Sequence, residues 1–152
     1  MPVLFDILTS VRGVIQGLNL PGLGAANVVI QKVPADRVQD LPAVPLPAVL
    51  IAPWGAELVE PLAGTNLRDD IIHPVRVMIL AADDADQSFS LSQYLDWRER
   101  LRRTFHNQRL TTPPCFVIHV EPLPIVDRAA WSDRHLFVSS LLLRCHSREP
   151  RV

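Results

Sequence analysis

The stretch DRHLFVSSLLLRCHSRE, residues 133–149, decides the fold. With Ser132 included, it reads as one long strand. Phe137, Ser139, Leu141, Leu143 and Cys145 alternate onto one face, and Leu136, Val138, Ser140, Leu142 and Arg144 onto the other. Both faces are largely apolar, so both need a cover. Helices or a second layer of the same chain would provide it, or neighbouring copies of the protein.

A second stretch of the same kind, Ile71 to Ala82, is apolar on both sides apart from His73 and Arg76. Its expected partners are the short strand at 48–52, closed by Pro53, and the C-terminal strand. Asn27 to Val33 reads as a further strand. Between Pro34 and Pro61 six prolines confine the chain to edge strands and structured loops. Trp54 to Asp70 reads as an excursion, a hairpin with arms at 57–60 and 66–70 and Gly64 near its tip.

Two helices frame these strands. Val3, Leu4, Ile7, Leu8, Val11, Val14, Ile15 and Leu18 recur at helical spacing until Pro21, Gly22 and Gly24 end the run. The second helix follows Asp83, Asp84 and Asp86. Ser90 and Gln93 have capping-box spacing, and Arg98, Arg100, Arg102 and Arg103 fill its later turns. Its expected buried stripe is Leu91, Tyr94, Leu95, Leu101 and Phe105, with the Arg98 stem packing and its head reaching a rim. Thr111 to Pro114 reads as a turn, Phe116 to Glu121 as a strand, and Val126 to Ser132 as a link into the last strand. The order predicts a single α+β domain over residues 1–152, with a mixed or mostly antiparallel sheet and two main helices on one face.

Composition sets broad limits. The chain has 152 residues, enough for a sizeable core, and its 48% apolar and 20% charged residues are those of a globular protein. A net charge of −1 provides no general field for nucleic acid or acidic membranes. Cys115 and Cys145 are too few for a disulfide framework and suit a reducing compartment. Met1 to Leu20, interrupted by Asp6 and Arg12, does not read as a signal peptide, and no stretch has membrane-spanning length. Lys32 is the only lysine.

The chain carries few recognisable chemical motifs. His73, His106, His119, His135 and His146 with the two cysteines lack the CxxC, HxxxH and HExxH spacings of metal sites. No GxSxG turn presents a serine, and no GKS or GKT follows the glycines at 22 and 24. No catalytic residue, cofactor or metal is therefore assigned. Arg98, Arg100, Arg102, Arg103 and Arg109, with His106, read as a solvated face paired with Asp96 and Glu99, as a contact for an acidic surface, or as a phosphate contact to nucleic acid, for which no recognisable binding motif is present. Trp54, Leu58, Val59, Leu62 and Leu67 put large apolar groups on an excursion that would ordinarily be polar, so it reads either as an interface or as a lid folded over the sheet.

The order of these features, with LPAVLIAPWG at 46–55, HPVRVMILAAD at 73–83, LSQYLDWRERLRRTF at 91–105 and DRHLFVSSLLLRCHSRE at 133–149, resembles the small tail-terminator and tail-completion proteins of long-tailed bacteriophages and prophages. Trp97 to Phe105 is similar to that family's "lre.l...l" helix pattern, and Arg144 to Glu149 to its closing "R..E" segment. The resemblance implies a structural virion protein, assembled in the host cytoplasm. It implies a ring of six copies at the head-proximal end of the tail, contacting the tail-tube protein and a head-completion or connector protein, without a specific nucleic-acid or membrane partner. On that reading Asp83, Asp84 and Asp86 of one copy face Arg100 and Arg103 of the next, and the excursion supplies apolar interface. The alternatives are a head-completion or connector protein of the same neck region, or a small ligand-binding or enzymatic domain with a pocket near His119, His135 and Arg144.

Overall fold

The computed structural model describes residues 2–32, 45–60, 67–82, 87–110 and 115–151. Its spine is a pair of antiparallel strands of 15 residues each, β4 (Arg68–Ala82) and β6 (Leu136–Pro150). Every residue of one faces a residue of the other, from Arg68 opposite Pro150 to Ala82 opposite Leu136. At about 3.3 Å per residue this ladder is some 45 Å long. β2 (Ala48–Pro53) pairs antiparallel with the upper part of β4, and β3 (Leu58–Val59) with its lower part. β1 (Val28–Ile30) adds a parallel partner to β2, and β5 (Cys115–Pro122) lies antiparallel on the far side of β6. The order β1-β2-β4-β6-β5, with β3 beside β4, makes a mixed, mostly antiparallel six-stranded sheet.

Two helices cover one face. α1 (Val3–Gly17) lays Ile7, Val11 and Ile15 against Val49, Ile51, Val77 and Ile79. α2 (Gln87–Phe105) adds Tyr94, Trp97, Leu101 and Phe105 over Ile118, Leu141 and Leu143. The protein is thus an α+β domain with its principal core between these helices and the sheet. The opposite face buries a smaller cluster, Leu50, Met78, Leu80 and Val138, under Ala130 of a third helix, α3 (Arg128–Arg134). This is how both apolar faces of β4 and β6 are covered within one chain.

Several expectations change. α2 begins at Gln87, so Ser90 and Gln93 lie inside the helix and form no capping box. The Gln93 amide instead donates to the Pro21 carbonyl at 2.7 Å, tying the turn after α1 to α2. Gly22 is required there: its φ is +81°, and a Cβ would meet the Gln93 amide at 2.8 Å. Leu91 and Leu95, expected in the buried stripe, are exposed, while Trp97 is fully buried. β1 is shorter than the strand expected over 27–33. The supposed link at 126–132 gives way to α3, which runs on to Arg134 and so removes Ser132 and Asp133 from the expected last strand; it is capped by Asp127, whose carboxylate accepts from the Ala129 and Ala130 amides at 3.0 and 3.2 Å. His135, at φ 53°, ends that helix and turns the chain into β6.

Arg98 also departs from expectation. Its head does not reach a rim but is buried in the core side of α2, donating to Ser139 Oγ at 2.8 Å and to the Ser140 and Leu123 carbonyls at 2.6 Å each. Burial lowers the basicity of the guanidinium, and these acceptors compensate its desolvation. The segment at 111–114 lies outside the described residues.

Candidate assembly surface

The excursion is a hairpin against β4. Leu58 faces Ile72, Val59 faces Ile71, and the Glu60 amide donates to the Asp70 carbonyl at 2.9 Å. Because partners across a ladder share a face, Leu58 points to the α3 side of the sheet and Val59 to the helix-covered side. Leu58 is 50% exposed, Val59 54% and Leu67 77%. They form an apolar rim at one end of the ladder. Leu62 lies outside the described residues, as do Asp83, Asp84 and Asp86.

Trp54 has a different situation. It is half-buried, and its indole lies over the Arg76 guanidinium at 4.6 Å from the ring centre. Arg76 in turn donates to Ser140 Oγ from Nε and Nη2 at 3.3 and 3.2 Å. These residues line a concavity of about 530 Å³ on the α3 side of the sheet, completed by Leu123, Pro124 and Val126 and by Asp127 at the start of α3. So Trp54 acts as part of a cover over the sheet, whereas Leu58, Val59 and Leu67 stand out from it.

Polar pairs hold the same end of the ladder rigid. Arg148 grips Asp70 with two hydrogen bonds of 2.7 and 2.9 Å, and Arg151 reaches Asp69 at 2.7 Å. The Arg148 bonds hold the Asp70 carboxyl below the usual carboxylate range. On the helix-covered face, buried His73 bonds Glu149 at 2.7 Å, and the same carboxylate accepts from Ser147 Oγ at 2.7 Å. His146 lies on the other face beside Phe116, and burial pushes its imidazole below its ordinary value.

Arg100 and Arg103 are engaged within α2. Arg103 meets Glu99 at 2.5 Å, and Arg100 stands 4.0 Å from Asp96 while donating to the Leu18 carbonyl at 3.0 Å. Arg103 is largely exposed; Arg100 also fastens α1 to α2.

Of the three groups named for a ligand pocket, two are brought together and the third is not. His119 lies opposite Arg144 in the β5–β6 ladder, and Arg144 pairs with Glu121 at 2.8 Å. His135 precedes β6, roughly 30 Å along the strand from Arg144. Both cysteines are free and buried; the hydrogen bond between the thiols and burial push Cys145 well above the ordinary thiol value, so it stays protonated. Among the described residues no three His, Cys, Asp or Glu side chains are placed to hold a metal ion, and no helix is long and apolar enough to cross a membrane.

The concavity at Trp54 and Arg76 had one sequence signal, an arginine at 76 within an otherwise apolar strand and an aromatic shortly before it. No protein-family model and no curated protein matches the chain.

Proposed function

We propose that the chain is a structural assembly protein of the phage-tail neck: a tail terminator that forms a ring, six copies in the reading favoured here, between the tail tube and the head-completion or connector protein. The observation that carries this reading is that Leu58 and Val59, on opposite faces of the short edge strand β3, and Leu67, just before β4, are all half or more exposed towards one end of the ladder. Three large apolar side chains held in place at one end of a sheet suit a surface that another subunit covers. The resemblance in element order adds to it, and so does the placement of His135, which lies too far along the strand to share a pocket with the His119–Arg144 pair. On this reading the protein works by contact and catalyses nothing.

Sedimentation or light scattering over a wide concentration range, with electron microscopy of tubes formed by a phage tail-tube protein, tests the proposal. Rings in solution or at one end of the tubes are expected. A chain that stays monomeric at every concentration and leaves the tubes uncapped overturns it.

A further inference from the structure

The ladder carries a second apolar patch at its other end. Tyr94 stacks on Phe137, ring centres 5.6 Å apart, and Phe137 faces Ala81, so the start of α2 sits over the Ala82–Leu136 end of the sheet. Phe105 and His106 lie towards β5, where the Val120 amide donates to His106 Nδ1 at 3.3 Å. One turn before Tyr94 the helix reaches Leu91, which is 43% exposed, and Leu95 beside it is 37% exposed. Together with Ser92, Asp96 and Glu99 they form an open, shallow surface, the α2 groove, on the outside of α2. Two leucines and two carboxylates lie side by side on it.

At the opposite end stands a side chain of complementary character. Leu67 is the most exposed large apolar residue among those described, and its neighbour Arg68 is exposed too. The Leu67 carbonyl accepts from the Arg151 amide at 2.9 Å, and Arg151 is itself fixed on Asp69, so the tip is presented on a braced backbone. Leucine followed by arginine matches a surface on which leucines and carboxylates lie side by side.

We infer that Leu67 and Arg68 of one copy seat in the α2 groove of the next, Leu67 between Leu91 and Leu95, and Arg68 against Asp96. This rests on the ring reading and names its contact. The two patches lie roughly 40 Å apart along one ladder, at opposite poles of the subunit. That arrangement excludes a two-fold contact of each patch with itself, in which Arg68 would face Arg68 and Asp96 would face Asp96. The contact is made twice over in an antiparallel two-fold pair and once per interface in a head-to-tail repeat; the ring reading takes the head-to-tail form, which closes when the rotation between copies permits, and a dimer of the unmodified chain as its final assembly overturns it. Asp96 can accept a second cation because its own partner, Arg100, is 4.0 Å away and is bonded to the Leu18 carbonyl.

A mixing experiment tests the contact. Leu67→Asp spoils one half of the contact and Leu95→Asp the other; both positions are exposed, and matching thermal unfolding with the unmodified chain verifies the fold. At concentrations where the unmodified chain assembles, in solution or on tail tubes, each variant alone is expected to remain monomeric. An equal mixture is expected to form a dimer and stop, because one intact contact remains per pair. Arg68→Glu should weaken assembly roughly ten-fold, and adding Asp96→Arg should recover most of it. If Leu95→Asp or Leu67→Asp assembles as the unmodified chain does, or if the mixture stays monomeric, this contact is wrong while the ring survives. If the unmodified chain itself never assembles, the ring and the contact fall together.

Discussion

Arg98 Nη1 donates to the Ser140 carbonyl at 2.6 Å, which joins α2 to the centre of β6 through a buried cation. The same guanidinium takes up the Leu123 carbonyl and so also holds the segment that leads to α3 on the other face. One side chain therefore links both layers of the domain. Replacing it with alanine or methionine would leave the Ser139 hydroxyl and the Leu123 carbonyl without this donor.

Arg98→Met is therefore expected to cost about 3 kcal/mol, since buried polar groups stranded by the loss of a charged donor lose more than the bond itself contributed. Urea denaturation checks this. A change within about 0.5 kcal/mol would mean that water replaces the guanidinium, as happens at exposed sites.

Trp54 and Leu58 should separate into different roles. Trp54→Ser removes the cover over Arg76 and is expected to destabilise the monomer by roughly 1–2 kcal/mol, from lost burial and the cation–π contact. Leu58→Ser, at a half-exposed site, should leave the unfolding midpoint almost unchanged and weaken assembly. Thermal unfolding paired with sedimentation distinguishes them. If Leu58→Ser assembles normally, Leu58 does not belong to the contact surface.

The long ladder was legible in the sequence because 15 residues of alternation leave little freedom. A slip of one position would turn Phe137, Leu141 and Leu143 away from α2. The phase of α2 was less legible. Leu91 lies in line with Tyr94, Arg98, Leu101 and Phe105, yet it overhangs the end of the sheet beyond Phe137 and Ala81, so spacing alone counts it as core. Leu95 flanks that line, and Trp97 on the other flank fills the space below. α3 escaped because seven residues show less than two full periods of a helix; its one clear mark was Asp127 two and three places before Ala129 and Ala130. The apolar rim at Leu58, Val59 and Leu67 could be read directly, since large apolar groups on a hairpin contradict the usual polarity of such excursions. The groove on α2 could not, because it exists only once Leu91 and Leu95 fail to be buried.

Acid should destabilise the fold in two stages of the same sign. His146 is held below its ordinary value chiefly by burial, with His119 and Arg144 adding to the effect and Glu60 and Asp70 opposing it. Between the folded pKa and about 6.5 the unfolded chain binds the proton better, so stability falls as pH drops through that window. Asp70 is held low chiefly by its hydrogen bonds from Arg148. Its contribution is present above about 3.9 and is lost as pH falls through the folded pKa. Denaturation midpoints measured from about pH 7.5 downward should show both declines. His146→Gln should flatten the upper one and Asp70→Asn the lower; an unchanged upper decline in His146→Gln would assign it to another group.

The two helix arginines should respond differently to charge reversal. Arg103 is largely exposed and its only described side-chain contact is Glu99 one turn earlier, an arrangement that contributes about 0.3–0.5 kcal/mol. Arg103→Glu is thus expected to leave monomer stability nearly unaltered. Arg100→Glu should cost more, about 1 kcal/mol, because the Leu18 carbonyl loses its donor and α1 is less firmly held. If Asp83, Asp84 and Asp86 of a neighbouring copy meet this face, both reversals weaken assembly, assembly of the unmodified chain declines with added salt, and converting the three aspartates to lysine partly restores the Arg103→Glu variant. Sedimentation across a salt series is the measurement. Assembly that is insensitive to Arg103→Glu would make this a solvated helix face and would leave association to the apolar rim at Leu58, Val59 and Leu67.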